Sequence, residues 1–451
     1  MTTLLDLLPF AQMDRLELGF WSFLVLLVMV FLRAPIGLAM LLCGFGGWYY
    51  AMNGNPVPLL AKLKSETYTT FSNYSLTIIP LFLLMGQFAT LSGLSKALFK
   101  AAESFLGHRR GGVAMAAVGA CAGFGAICGS SLATAATMSK VALPELRRYG
   151  YSGGFSTATL AAGGTLGILI PPSVILVIYA IITEQNIAKL FLAAFIPGIL
   201  AALGYMLTIS LYVRLYPDAA GTRAPVPMGD RWRALGATWP VLAIFGVVVG
   251  GIYLGWFTPT EGAAIGAAGT GLIAVVSRSL TWQTFKECLL GTGRTTAMIF
   301  FIVLGASFYN GFLALSGVPQ FMADWVLAQD YSPWFVLSII LLFYLVFGCL
   351  MDSLSMILLT VPIFFPVISA MDFGMSPEHV AIWFGILVLI VVEVGLITPP
   401  VGMNLFIINA MDRETPITQT YKAVLFFVGS DIVRVAVLVA FPAITLFLIP
   451  V

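Results

Sequence analysis

Gly167-Ile168-Leu169-Ile170-Pro171-Pro172-Ser173 and Gly395-Leu396-Ile397-Thr398-Pro399-Pro400-Val401 decide the fold. Each lies in the middle of an apolar run that otherwise reads as a membrane helix. A Pro-Pro pair withdraws two backbone donors and bars the preceding residue from helical geometry, so the helix breaks at that depth. Irregular backbone inside a membrane persists only where it is buried in protein or lines a cavity. A single pair would favour a plain proline kink. Two pairs, at corresponding places in two halves of one chain, point to a transporter's binding site.

Composition agrees with a membrane setting. Of 451 residues, 60% are hydrophobic and 9% charged, against about 25% charged in soluble domains. The first basic residue is Arg15, and the apolar run from Leu18 continues into more membrane-length sequence, so no cleavable signal is evident. A formal net charge of +2 says nothing of nucleic acid. Cys43, Cys121, Cys128, Cys288 and Cys349 lack metal-ligand spacing and read as small packing residues. His108 and His379 stand near predicted helix ends, which leaves no histidine cluster for haem, zinc or a proton relay.

Ten runs have spanning length: 18–33, 34–52, 74–95, 154–182, 189–213, 236–256, 258–277, 295–316, 380–410 and 423–449. Two more, 111–145 and 333–368, are interrupted by Gly129-Ser130-Ser131-Leu132-Ala133-Thr134 and by Met351-Asp352-Ser353-Leu354-Ser355. Each is either a re-entrant hairpin or one span with a polar patch. Basic residues decide between the two. With the N-terminus outside and two hairpins, 18 of the 22 Lys and Arg fall on the cytoplasmic side, among them Arg33, Arg147, Arg148, Arg294 and Arg434. Only Arg15, Lys62, Lys64 and Lys189 fall outside. The expected fold is therefore all-α and polytopic, with two re-entrant helical hairpins and two broken helices.

The element order repeats with reversed orientation. Gly37 to Gly262, Gly86 to Gly305, Ser131 to Ser353 and Pro171 to Pro399 are separated by 225, 219, 222 and 228 residues. The predicted division is a first inverted repeat at 1–188, a connecting span and cytoplasmic linker at 189–235, a second repeat at 236–410 and a C-terminal span at 411–451. The inner hairpin (111–145) and broken helix (154–182) fall in the first repeat. The outer hairpin (333–368) and broken helix (380–410) fall in the second.

In each half the hairpin tip should meet the broken span near the bilayer midplane. Ser130 and Ser131 supply hydroxyls and the break at Gly167–Pro172 supplies carbonyls; Ser353, Gly395, Thr398 and Val401 do the same in the second half. Neutral oxygens at half-helix ends suit Na⁺, and half-helix N-termini suit an anion. These Ser and Thr residues also fit plain packing between membrane helices. Candidate substrate contacts at the same places are Ser131, Thr134, Ser173, Asp352, Ser355 and Asn404. Glu261, Asp352 and Glu393 are the expected intramembrane acids. Asp352 reads as functional, whereas Glu261 and Glu393 divide evenly between functional and structural readings. No Lys or Arg occurs between Thr295 and Asp412, so a carboxylate there must rely on dipoles, hydroxyls and co-bound cations, or on Arg33 reaching in.

Gly-Ser-Ser-Leu-Ala-Thr (129–134), Ala-Gly-Gly-Thr-Leu-Gly-Ile-Leu-Ile-Pro-Pro-Ser (162–173) and Glu-Val-Gly-Leu-Ile-Thr-Pro-Pro-Val-Gly-Met-Asn-Leu-Phe (393–406) resemble the large membrane subunit of TRAP transporters, the DctM-type family. The resemblance extends over nearly the whole chain, including Arg-Ala-Pro-Ile-Gly (33–37) and the Met-Asp-Ser of the second hairpin. It implies a multi-pass protein of the bacterial inner membrane that imports an organic anion by Na⁺ symport, through an elevator-type movement. Its implied partners are a periplasmic substrate-binding protein and a small four-helix membrane subunit, here a separate polypeptide. One Na⁺ would use Ser130, Gly167, Ile170 and Pro172, the other Ser353, Gly395, Thr398 and Val401; many relatives have Gly where this chain has Ser353. No cofactor is implied beyond the coupling ion. The runner-up is a self-sufficient Na⁺/dicarboxylate symporter. A membrane enzyme is disfavoured by the lack of a His-Glu-x-x-His, a Ser/His pair or an acid dyad at membrane depth.

The topology has a direct check. Single cysteines at 140–150 should be labelled from the cytoplasm and those at 369–379 from outside; the opposite result at either loop rules out the inverted repeat.

Overall fold

The computed structural model describes residues 13–449, and every regular element among them is helical. The first half runs α1 (Arg15–Phe31), α2 (Ile36–Ala51), α3 (Pro56–Phe71), α4 (Ile78–Leu91) and α5 (Leu94–Leu106). The pair α6 (Gly112–Cys128) and α7 (Ser131–Arg148) follows, then the broken pair α8 (Gly153–Leu169) and α9 (Val174–Ile182). The long α10 (Ile187–Leu215) and short α11 (Met228–Gly236) lead into the second half. That half contains α12 (Trp239–Tyr253), α13 (Pro259–Val276), α14 (Trp282–Ser316) and α15 (Val318–Ala328). The pair α16 (Pro333–Gly348) and α17 (Ser353–Ser369) comes next, followed by the broken α18 (Pro377–Gly395) and α19 (Met403–Met411). The last two helices are α20 (Ile417–Ala440) and α21 (Pro442–Leu446).

Element order therefore recurs, with one fusion. The first half makes two helices between 56 and 91, interrupted at Ser72 and Asn73; the second makes one 35-residue helix, α14. At about 1.5 Å per residue α14 is about 52 Å long, well beyond the roughly 30 Å hydrocarbon core. It consequently extends thirteen residues ahead of the run expected at 295–316. The amphipathic helices α3, α5, α11 and α15 were not expected as elements.

Among the described residues six helices are long and apolar enough to cross a membrane, or up to eight if each of two pairs bent by 46° counts as one span. Ten were expected. The runs 18–33 and 34–52 fold as α1 and α2, of 17 and 16 residues, because Arg33 takes a positive φ of 68° and Pro35 precedes α2. Those features take the intervening residues out of the helices. The two interrupted runs split as expected: α6, α7, α16 and α17 have 16 to 18 residues, about 24–27 Å each, too short to cross upright.

The broken helices form the centre. Every residue of α8 after Gly153 is buried, as is every residue of α18 from Val380 to Gly395. A helix apolar all round belongs inside protein. By contrast α1, α2, α10 and α20 expose Leu24, Val28, Leu42, Leu207 and Val433, the expected behaviour of a lipid-facing shell. Polar ties pin the ends. Arg147 at the end of α7 pairs with the buried Asp412 beyond α19, and Lys189 meets Glu378 at 2.6 Å. Arg223 in the linker reaches Glu103 of α5 at 2.9 Å.

The structure revises the reading of two charged residues. Glu261 takes the structural role: it is exposed in the first turn of α13 and closes a capping box, its Oε2 accepting from the Thr258 amide at 2.8 Å. Arg434, counted with the cytoplasmic residues, lies buried inside α20 and pairs with Asp431 at 2.8 Å. Asp431 also accepts from the Tyr205 hydroxyl of α10, which contacts Thr165 of α8 at 3.0 Å. Removing one member of a buried pair strands the other charge, so Arg434→Leu should destabilise by about 3–5 kcal/mol. The double change Asp431→Leu/Arg434→Leu should return most of that loss, read as thermal unfolding of the purified protein.

Candidate functional site

Both breaks are closed by the neighbouring hairpin at a glycine pair. A methyl on Gly125 of α6 would lie 2.5 Å from Gly167 Cα, and one on Gly395 would lie 2.5 Å from the Gly348 carbonyl carbon of α16. No side chain fits at either crossing. The absence of side chains brings backbone against backbone where Pro171 and Pro399 interrupt the ladders. Both Pro-Pro peptides are cis.

In the first half, Ser130 caps α7 by accepting from the Ala133 amide at 3.4 Å. The Ser130 carbonyl and the Thr134 hydroxyl crowd Gly167: an added methyl there would stand 2.7 and 2.4 Å from them. Thr134 Oγ1 is buried without a hydrogen-bond partner. The Pro172 carbonyl faces Gly129 at the hairpin tip, and Ser173 caps α9. Ile170 is buried, its side chain against Gly198 of α10. Ser130 and Thr134 thus set neutral oxygens at Gly167 of the break, and Pro172 sets one at Gly129 of the hairpin tip.

The second half is built alike. Thr398 Oγ1 donates to the Val394 carbonyl at 2.6 Å, and the Leu396 and Thr398 carbonyls converge on Gly402. The Gly402 amide donates to the Cys349 carbonyl at 3.3 Å, tying the break to the hairpin. Tyr421 of α20 donates to the Pro400 carbonyl at 2.7 Å and reaches that of Val401 at 3.4 Å. Asp352 caps α17, accepting from the Ser355 amide at 3.1 Å and from its hydroxyl. Ser353 Oγ donates to Glu393 Oε1 at 2.6 Å. Asn404 is buried and donates to the Ala161 carbonyl of α8 at 3.4 Å.

The two tips face one cavity of about 160 Å³. Ser130, Ser131, Asp352 and Ser353 line it; Thr134, Ser173, Ser355, Asn404, Thr398 and Val401 do not. The N-termini of α7, α9 and α17 all open onto it, through Ser130, Val174 and Asp352. Their unpaired amides and dipoles favour an anion. No Lys or Arg lines it, and Arg33 stays exposed in the turn between α1 and α2. The far wall is Leu83 of α4 with Thr295, Met298 and Ile299 of α14. Sequence reasoning missed that wall; the only signal was Thr295, a hydroxyl at the start of an apolar run.

The family profile described as "Tripartite ATP-independent periplasmic transporter, DctM component" matches residues 23–444. The chain belongs to the DctM family. Among its DctM relatives is a C4-dicarboxylate TRAP transporter large permease protein of Pseudomonas aeruginosa, 37% identical, with 85% of this chain and 88% of that one covered. A sialic acid TRAP transporter large permease protein of Vibrio cholerae is 31% identical, over 83% and 86%. An isethionate permease protein of Oleidesulfovibrio alaskensis, DctMQ, is 32% identical, over 87% of this chain and 60% of the longer relative. The crystal structure of the Alcanivorax borkumensis YdaH transporter shares the fold, with a TM-score of 0.60 at 16% identity over 85% and 89% of the two chains.

Gly167 offers a test of this DctM geometry. Gly167→Ala forces its methyl onto the Ser130 carbonyl and Thr134 hydroxyl. Overpacking of that kind costs about 1–3 kcal/mol. The variant should insert into the membrane and lose most transport, whereas Gly46→Ala, where a methyl meets nothing, should match the parent.

Proposed function

We propose that this DctM-family chain is the large membrane subunit of a tripartite secondary transporter. It imports an organic anion, a C4-dicarboxylate or related carboxylate, across the bacterial inner membrane by Na⁺ symport. The observation that carries this reading is the shared cavity: two hairpin tips, three helix N-termini and no cationic side chain. An anion held there is met by dipoles and hydroxyls, and its charge is offset by co-bound cations at the two groups of neutral oxygens. Ser130, Gly167, Ile170 and Pro172 hold one Na⁺; Ser353, Gly395, Thr398 and Val401 hold the other. Thr134 and Asp352 stand beside them, with Ser131 toward the anion.

The movement is an elevator. The hairpins and the broken helices carry the cavity as one block along the wall made by α4 and α14. A periplasmic binding protein delivers the anion, and a small four-helix membrane subunit braces the wall. The name DctMQ of one relative fits a permease that works with a second membrane component.

The experiment reconstitutes the chain with and without both partners and follows radiolabelled succinate, isethionate and sialic acid. A Na⁺ gradient should drive uptake of one of them only when the partners are present. Robust uptake by the chain alone would contradict the tripartite reading. In the full assembly, Ser130→Ala and Thr398→Ala should each raise the half-saturating Na⁺ concentration several-fold. A membrane hydrogen bond is worth only about 0.6 kcal/mol on average, so roles confined to packing leave the Na⁺ dependence of both variants unchanged.

A further inference from the structure

Glu393 plays no part in the two ion groups above. It is wholly buried in α18, its Oε1 accepting from Ser353 Oγ at 2.6 Å. Its Oε2 has no hydrogen-bond partner. The second polar neighbour of the carboxylate is Ser131 of the other hairpin. Ser131 and Ser353 each follow the capping residue at a hairpin tip, and both line the cavity. Glu393 therefore lies just behind the cavity, reached through one hydroxyl from each hairpin.

Three other buried carboxylates show what a structural acid looks like in this fold. Asp412 uses one oxygen on Arg147 and the other on Thr415. Asp431 uses one on Arg434 and the other on Tyr205. Glu103 leaves one oxygen unpartnered but pairs the other with Arg223 at 2.9 Å. Each has a cation. Glu393 has none: among the described residues every ion pair lies elsewhere, and the chain has no Lys or Arg between 295 and 412. A buried carboxylate without a counter-charge is costly, and in membrane proteins such acids mark ion pathways. The first half has no counterpart. At the 228-residue offset that relates Pro171 to Pro399, Glu393 corresponds to Thr165, a neutral side chain.

We propose that Glu393 Oε2 and the hydroxyls of Ser131 and Ser353, the latter residue shared with the second ion group, form a third Na⁺ site, bridging the two hairpin tips. The site rests on the Na⁺-symport reading above and deepens it. Oxygen-only ligands with one carboxylate suit a hard monovalent cation. The Ser353 hydrogen is committed to Oε1, which leaves its lone pairs for the ion. A cation there is neutralised by Glu393 itself, so it tethers both tips without adding net charge to the moving block. Ions at the two neutral groups do add charge, and they offset the anion.

The test uses the whole transporter with both partners. The flux ratio of ²²Na⁺ to labelled anion is measured for the parent, Glu393→Gln and Ser131→Ala. Glu393→Gln is expected to lower that ratio by one, and Ser131→Ala to raise the half-saturating Na⁺ concentration several-fold. Na⁺-dependent thermal stabilisation of the purified complex, with K⁺ and choline as controls, supplies a second readout that needs no transport. In the Gln variant the rise of Tm with log Na⁺ concentration should be shallower by about a third. An unchanged ratio, or an unchanged slope in an inactive variant, overturns the third site. So does an unchanged ratio with a lost pH dependence, which would assign Glu393 to a proton. Absence of Na⁺ dependence in the parent would instead overturn the symport reading itself.

Discussion

Everything near the centre of this protein answers to one constraint: backbone polar groups freed inside a membrane must find protein partners. The first Pro-Pro break is wholly buried, out of reach of water and lipid, and the second is buried as far as Ile397 before it opens at Pro400. The hairpins are the answer. They are too short to cross, and they bring backbone against each break through Gly125–Gly167 and Gly348–Gly395. Gly125, Gly167 and Gly395 have no room for a side chain and Gly348 has little, because a methyl there would push the hairpin backbone off the break. Shortness of the hairpins, small residues at the crossings and the cavity between the tips are then one solution seen from three sides.

A second constraint concerns charge. The fold buries Asp412 and Asp431 with an arginine each, and it spends further hydrogen bonds on the remaining oxygens. The Arg434–Asp431 pair extends through Tyr205 to Thr165, two residues before the Gly167 break. A polar chain thus runs from α20 to the end of α8, across an otherwise apolar interface. Such a chain fixes the register of the helix whose unwound end carries part of the site.

Much of this was legible in the sequence, for physical reasons that can be named. Proline pairs break helices wherever they stand, so the breaks were visible at Pro171 and Pro399. Small polar interruptions in short apolar runs marked the tips at Ser130 and Asp352. The amphipathic α3, α5 and α15 escaped because their apolar faces are narrow and charges such as Lys62 and Lys96 punctuate them. Arg434 was misplaced because counting charges by loop cannot distinguish a solvated arginine from one neutralised by an aspartate one turn earlier. Glu261 divided evenly between two readings, although the capping partner that decides for the structural one, Thr258, stands three residues before it. The α4–α14 wall of the cavity was invisible, since nothing in local pattern says that Thr295 faces Ser130 across the fold.

Under the proposed symport, the cavity's own charge gives coupling to a cation a physical reason. Asp352 lies on its lining, Glu393 lies behind it, and no lysine or arginine approaches. An organic anion entering alone would meet Asp352 on the lining in a low-dielectric setting, where like charges repel strongly. Three helix N-termini offset part of that repulsion, at about half a charge each before screening. On the proposed symport reading, the remainder is supplied by cations from solution. Such a site would bind its anion well only with cations already present, and a cation shared by Ser131, Ser353 and Glu393 would draw the two hairpin tips together. Selectivity for an anion and dependence on a cation would then share a single arrangement of oxygens.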